Sequence, residues 1–223
     1  MMRILHLEEN HPILIEQLTV LGFENIVDTL SSKEVIAQDI AQYHGLVIRS
    51  RFSIDKPFLQ KAINLKFIAR VGSGLENIDL EAAAAMDIAV VAAPEGNSPA
   101  VGEHALGMLL SLLNKLPQGN EQVRIGKWQR EANRGEELGG KTIGIIGYGH
   151  TGKQFARILA GFNVHVLCHD ILNNMGDAYA KQVPLRTIHD QADVISIHLP
   201  LNKSTQQYLS LIHISEPTRH DQI

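Results

Sequence analysis

The segment Gly140-Lys-Thr-Ile-Gly-Ile-Ile-Gly147-Tyr-Gly149-His-Thr-Gly152-Lys-Gln-Phe-Ala-Arg constrains this chain more than any other. Ile143, Ile145 and Ile146 make a short apolar strand, and Gly147-x-Gly149-x-x-Gly152 makes a turn. Phe155, Ile158 and Leu159 then fall at helical spacing as one buried face. Each glycine has a physical reason to be there. Gly147 permits the tight turn, Gly149 keeps a Cβ away from any group approaching the backbone, and Gly152 lets helix and strand pack closely. The unpaired N–H groups and positive dipole end of a helix starting near Thr151 form an anion site suited to a pyrophosphate. The alternative is a strand–helix turn that binds nothing.

The second strand, Asn163-Val-His-Val-Leu-Cys-His-Asp170, ends in an acid 18 residues after Gly152. At this offset a carboxylate accepts hydrogen bonds from an adenosine ribose and repels a 2′-phosphate, so NAD is expected over NADP. A loop or capping acid is the other reading of Asp170. Strand, turn, helix, strand and acid occur in the order a dinucleotide site needs, which a lone glycine motif does not offer.

The 223 residues, net charge of −4 and 44% hydrophobic content suit one large or two modest globular domains. No apolar run is long enough to span a membrane and the N-terminus lacks a signal-peptide pattern, so a cytoplasmic protein is expected. The near-neutral balance without a basic stripe argues against nucleic acid as a partner. The single cysteine, Cys168, excludes an internal disulfide and is expected as a small core residue. No His, Cys, Asp or Glu cluster has metal-ligand spacing, so no metal is expected.

The first ninety-odd residues alternate strand and helix signals. Ile4-Leu5, Leu46-Val47-Ile48, Phe67-Ile68-Ala69 and Ala89-Val90-Val91 read as strands. Pro12 to Leu21, Ser32 to Tyr43 and Leu80 to Met86 read as helices. Such alternation predicts a parallel sheet with helices on both faces. The expected fold class is α/β, two Rossmann-like or flavodoxin-like doubly wound domains with the second incomplete. The expected division is a substrate-type domain over 1–97 and a cofactor domain over 98–208. Between them, Val101 to Leu113 is apolar on nearly all sides, which predicts burial between domains or subunits, and hence a homodimer. Glu103 and His104 are read as opening this helix, where the dipole explains the acid. Trp128 is expected in the core. Val194-Ile195-Ser196-Ile197 is a further strand, ending at His198-Leu199-Pro200.

These motifs together resemble the D-isomer-specific 2-hydroxyacid dehydrogenase family, with the branch acting on 3-phosphoglycerate most similar. The likeness runs from about Met2 to Tyr208. It rests on Arg49-Ser50-Arg51, Arg70-Val-Gly72-Ser73-Gly74-Leu-Glu-Asn77-Ile-Asp79, Pro94-Glu-Gly-Asn97, Val101-Gly-Glu103-His104, Gly126-Lys-Trp128-Gln-Arg130, the glycine loop, Asp170 and His198-Leu-Pro200. The resemblance implies an NAD-dependent oxidoreductase of a small 2-hydroxy or 2-oxo acid, in the serine-forming branch if 3-phosphoglycerate is the substrate. It implies a cofactor site at Gly147, Gly149, His150, Thr151, Gly152, Asp170, His198, Leu199 and Pro200. Gly72-Ser73-Gly74 would form an anion nest for the substrate carboxylate; spacing alone favours a plain turn after a strand, and the resemblance reverses that reading. Arg49 and Ser50 would hold a phosphate, or be a solvated strand end. Arg130 resembles a position that can face a neighbouring subunit's site, or is a surface charge. The alternatives within reach are a glyoxylate/hydroxypyruvate reductase and a non-catalytic, NAD-sensing corepressor-like protein.

In this family a histidine paired with a glutamate removes the hydroxyl proton while an arginine binds carboxylate and carbonyl. The motifs that carry those three groups do not occur in this sequence, so no catalytic residue is assigned and the chain is expected to be an inactive fragment. Leu209-Ser-Leu-Ile-His213-Ile-Ser-Glu216-Pro-Thr-Arg219 contains the same residue types in the wrong order and spacing. Those residues are expected to be a translated transposon-type library adapter, with His220 to Ile223 from the index bases that follow, and so to fall outside the fold; a natural short C-terminus is the alternative. Without further strands, Val194–Ile197 is expected to be the unpaired edge of the second sheet.

Overall fold

The computed structural model describes residues 1–202 and 204–208, so the reading of the tail from Leu209 onward lies outside the described residues. Two parallel sheets follow one another along the chain. The first is built from β1 (Arg3–His6), α1 (Pro12–Val20), β2 (Glu24–Val27), α2 (Lys33–Asp39), β3 (Gly45–Ile48), α3 (Lys56–Lys61), β4 (Phe67–Arg70), α4 (Leu80–Ala85) and β5 (Ala89–Ala92). Its strand order is β2-β1-β3-β4-β5, with every neighbouring pair parallel. Then α5 (Pro94–Leu113) and α6 (Leu116–Arg124) lead to β6 (Thr142–Ile146), α7 (His150–Leu159), β7 (His165–His169), β8 (Lys181–Gln182), α8 (Leu185–Gln191) and β9 (Val194–Ile197). The second order is β8-β7-β6-β9, again parallel. Among the described residues β9 is the edge of this sheet, and Ile195 and Ile197 on it are exposed.

Local chemistry sets these elements. Ser32, Asp55 and Asp79 cap α2, α3 and α4, each side chain accepting the N–H three residues on. Leu46, Ile48 and Ile68 meet Ile36, Phe58, Leu59 and Ala83 in the first core. In the second, Ile143 and Ile145 of β6 pack with Phe155, Ala156 and Leu159 of α7 and with Cys168, which is buried as expected. A Cβ on Gly144 would lie 2.4 Å from Ile188 Cγ2, so this glycine lets α8 sit directly on the sheet.

Two expectations need correction. Trp128 is 82% exposed, because residues 126–137 contribute to neither core and the chain rejoins the second one only at Leu138. Glu103 and His104 do not open a helix; α5 begins at Pro94, so both sit in its middle, exposed, and the dipole argument for Glu103 fails. Helix α5 spans the expected division between residues 97 and 98. That helix is not covered all round. Gly102 brings it against α7, where an added Cβ would meet Ile158 at 2.9 Å and the Gln154 backbone at 3.2 Å. On its other side Met108 and Leu112 face outward. Among the described residues no helix is long and apolar enough to cross a membrane.

Candidate functional site

In a doubly wound sheet, ligands bind beyond the strand C-termini where the order changes direction. In the second sheet that point lies between β6 and β9. Ile146 and Ile197 are paired in register there, and the His198 N–H donates to Ile146 O at 2.7 Å. Gly147 follows with φ +89°, a conformation that favours glycine, and a Cβ on it would lie 2.6 Å from the His198 carbonyl oxygen. A Cβ on Gly152 would lie 2.3 Å from the Gly147 carbonyl oxygen, so its absence allows α7 to close on the turn. At Gly149 an added Cβ would meet nothing within 4 Å. Two glycines are therefore required by the protein's own backbone, and the third opens onto free space.

That space faces the start of α7. Gly149 is its N-cap and no side chain caps it, so the first-turn N–H groups are left for another acceptor. The helix begins at His150, one residue before the expected start at Thr151. Asp170, just past β7, accepts from Tyr148 N at 2.7 Å through Oδ2 and from Leu172 N at 3.0 Å through Oδ1. Each oxygen keeps a second lone pair, which is what a ribose diol requires. Turn, uncapped helix start and carboxylate thus fit a dinucleotide, with His150 and Thr151 in the first turn of α7. His198 contributes chiefly through its backbone. Its ring is turned inward, with Nε2 2.9 Å from Ser196 Oγ and the ring centroid 5.6 Å from that of Phe155, and burial holds its pKa below the ordinary histidine value. A Cβ on Gly147 would also come within 3.0 Å of Leu199 Cδ2, whereas Pro200 is exposed.

On the first sheet, Arg49, Ser50 and the Gly72-Ser73-Gly74 turn lie together beyond the C-termini of neighbouring β3 and β4. Asn77 joins them, its Nδ2 donating to Arg49 O at 3.2 Å. The backbone N–H groups of Arg49 and Ser50 both donate to the Glu8 carboxylate. Only the Arg49 guanidinium and the Ser50 hydroxyl therefore remain for an anion. Arg51, by contrast, is structural, its guanidinium donating to the carbonyls of Leu7, Asp28 and Ser31. Beside Gly72 and Gly74 lie side chains of the same turn. A Cβ on Gly72 would fall on Arg70 Nη1 and one on Gly74 on Glu76 Oε2, and these two side chains form a 3.8 Å ion pair. Sequence reasoning singled out neither Glu8 nor the Arg70–Glu76 pair. A strand-end arginine two residues before a glycine was the one available signal for Arg70. The two regions are linked along the chain: Ala93 N donates to Gly72 O at 3.0 Å, and Glu95, at the start of α5, lies 3.8 Å from His150 Nε2. No group of three or more His, Cys, Asp or Glu among the described residues could hold a metal ion.

Residues 106–219 match the family described as D-isomer specific 2-hydroxyacid dehydrogenase, NAD binding domain. A D-3-phosphoglycerate dehydrogenase of Archaeoglobus fulgidus is 36% identical over 92% of this chain and 39% of its own length. A hydroxypyruvate reductase of Thermotoga maritima is 33% identical over 80% of this chain and 58% of its own length. The chain thus spans well under two thirds of these relatives. Among solved structures, an NAD-dependent formate dehydrogenase of Staphylococcus aureus in complex with NAD superposes with a TM-score of 0.80 at 28% identity, over 96% of this chain and 70% of that one.

Proposed function

The chain belongs to the D-isomer specific 2-hydroxyacid dehydrogenase family, and on that premise we propose that the gene product is an NAD-dependent oxidoreductase of D-2-hydroxyacids. The observation that carries this reading is the open space at Gly149 over the uncapped start of α7, with Asp170 alongside. When bound, NAD supplies the hydride acceptor. The N–H groups of His150 and Thr151 hold its pyrophosphate and Asp170 holds its adenosine ribose, while the negative charge of Asp170 disfavours a 2′-phosphate. His198, Leu199 and Pro200 close the opposite wall. Residues 1–97 serve as the substrate-type domain and 98–208 as the cofactor domain. Gly72-Ser73-Gly74 would bind the substrate carboxylate, with Arg70 supplying positive charge beside it.

The substrate we propose is 3-phosphoglycerate, oxidised to 3-phosphohydroxypyruvate for serine synthesis, with the Arg49 guanidinium and Ser50 hydroxyl on the phosphate. One observation favours hydroxypyruvate reduction instead: Glu8 already places a carboxylate on the backbone N–H groups of Arg49 and Ser50. We further propose a cytoplasmic homodimer joined through the outward Met108 and Leu112 face of α5. Arg130 would either face the partner's site or remain a surface charge.

Calorimetric titration tests the cofactor reading directly. NAD binding with at least about tenfold preference over NADP supports it; equal affinity for the two, or none, overturns it. Turnover by the full-length gene product then separates the substrates. Faster NADH formation from 3-phosphoglycerate than from D-glycerate supports the phosphate reading, and the reverse favours the reductase. Chromatography giving a monomer would count against the dimer.

A further inference from the structure

Tyr148 stands between the first two glycines of the turn and is among the largest fully buried side chains. A buried phenol needs a hydrogen-bond partner, and Tyr148 finds one outside its own loop. Its hydroxyl donates to Asp177 Oδ1 at 2.8 Å. The same oxygen accepts from the backbone N–H groups of Tyr179 at 2.8 Å and Ala180 at 3.3 Å, so Asp177 is already anchored in its own turn. At its other end the residue acts through its backbone, donating its N–H to Asp170. One side chain closes the middle of the intervening loop: Gln182 accepts from Met175 N and donates to Leu172 O, both at 2.7 Å. A single buried residue thus grips both ends of the 170–180 loop, at the ribose-side acid and at the loop's far turn.

Ionisation keeps the bond in place. Burial, then the Asp177 carboxylate, push the phenol far above its ordinary pKa, so it stays a donor at any physiological pH. Burial acts to raise the Asp177 carboxyl, but hydrogen bonds from Tyr179, Tyr148 and Ala180 outweigh it and hold the pKa below the ordinary value. Lys153 Nζ, one turn into α7, lies 5.7 Å from the Tyr148 ring centroid and adds to that field.

We propose that the Tyr148–Asp177 hydrogen bond is a positioning pair that fixes Asp170 relative to the N-terminus of α7 and so sets affinity for the adenosine diphosphate half of the cofactor. This deepens the cofactor reading above and rests on it. Tyr148 has no exposed surface to offer a ligand, so it acts only through Asp170 and the loop. A loop ordered before binding spares the ligand the cost of ordering it.

The test is titration of ADP-ribose and NAD into this chain and into Tyr148→Phe, Asp177→Asn, Asp177→Ala and the Tyr148→Phe/Asp177→Ala double variant. Each is measured well below its own unfolding midpoint, with Tm recorded alongside. Tyr148→Phe and Asp177→Ala should each raise the Kd for ADP-ribose about tenfold. The double variant should be no weaker than Asp177→Ala alone, because once the carboxylate is gone the phenol has no bond left to lose. Asp177→Asn keeps the acceptor oxygen and should stay within about threefold of the parent. Lowered Tm with unchanged Kd in the folded variants would show a merely structural bond and overturn the proposal, as would additive losses in the double variant. Should Asp177→Ala not fold, Tyr148→Phe, which removes one oxygen, decides alone. If the parent chain binds neither ADP-ribose nor NAD, the cofactor reading itself fails, and the positioning pair with it.

Discussion

The first sheet changes direction between β1 and β3, the second between β6 and β9, and the two crevices are treated in opposite ways. Across the first, Glu8 reaches from the end of β1 to the N–H groups of Arg49 and Ser50. The neighbouring glycine turn after β4 accommodates the side chains of Arg70 and Glu76. Across the second, no side chain intrudes at Gly149, and α7 begins without a cap. Both regions carry a glycine pair after a strand, so the pattern alone does not separate them. What lies where each missing Cβ would point does separate them. At Gly147 and Gly152 it is the protein's own backbone, at Gly72 and Gly74 its own flexible side chains, and at Gly149 nothing.

The contrast predicts a graded series of glycine substitutions. Gly152→Val is the most damaging, since even its Cβ would lie 2.3 Å from the Gly147 carbonyl oxygen and neither backbone can yield cheaply. We expect a loss of about 3 kcal/mol in stability and no NAD binding, read by chemical denaturation and calorimetry. A variant as stable as the parent would show that α7 does not pack as closely as the glycine suggests. Gly149→Val breaks the comparison in the other direction. With free space around it, the side chain meets no clash, and folding stability should fall by only about 1 kcal/mol, because valine is a poorer N-cap than glycine. NAD affinity should nevertheless fall by at least about tenfold, because the new side chain fills the approach to the helix start. Unchanged affinity would exclude this turn as the pyrophosphate cradle.

Each half also buries one histidine near a strand end, His6 in the first and His198 in the second, and burial holds both below the ordinary value of 6.5. For His6 the Asn25 side chain works against that shift without reversing it, and Nδ1 has no partner. As pH falls below 6.5 the unfolded chain takes up protons that the native chain refuses. Stability is therefore lost from that pH down to each lowered native value, at up to about 1.4 kcal/mol per pH unit per histidine. Denaturation midpoints between pH 7 and 5 measure this, and His6→Asn should flatten the slope in proportion to its share. A pH-independent midpoint would mean that neither ring is kept neutral by the fold.

What was legible in the sequence follows the same physical division. Central strands β3, β4 and β6 announce themselves as short apolar runs, because both faces are covered, and the edge strand β5 does so through Val90 and Val91. β2 does not: as an edge strand it offers only Ile26 and Val27 to such a reading, and Val27 is exposed. β8 has two residues and is defined by pairing with Leu167 and Cys168 rather than by its side chains. The short helix α3 carried a readable start in Asp55 and Pro57 but too few residues to show a period. The glycine loop and Asp170 were readable because their chemistry is local and fixed by spacing. Glu8 was not, since it meets Arg49 across a separation of 41 residues that only the β1–β3 pairing closes. Trp128 was misplaced because size and apolarity say what a residue prefers, not whether the chain supplies a partner.

Glu8→Gln sharpens the comparison at the first crevice. Removing the charge while keeping an acceptor should cost about 1 kcal/mol in stability, as one charge-assisted hydrogen bond weakens. In return, inorganic phosphate should bind about three- to fivefold more tightly beside Arg49, because a like charge no longer stands next to it. Phosphate binding that is unaltered, or absent in both forms, would move the anion site away from this turn and favour an unphosphorylated substrate.

The smallest effect is expected at Gly74. The atoms nearest a methyl there belong to the Glu76 carboxylate, the first at 2.1 Å, and Glu76 is a half-exposed side chain that can rotate away into water. Its ion pair with Arg70 is long, at 3.8 Å, and of the kind that contributes little. Gly74→Ala should therefore change stability by less than about 0.5 kcal/mol. What it should change is the company Arg70 keeps, since displacing Glu76 leaves the guanidinium beside Gly72 without its acidic neighbour. If this turn receives a carboxylate, oxalate should bind the variant slightly more tightly than the parent. Weaker binding would mean that the N–H groups of the turn, rather than the arginine, hold the anion, and that a Cβ at this position obstructs them.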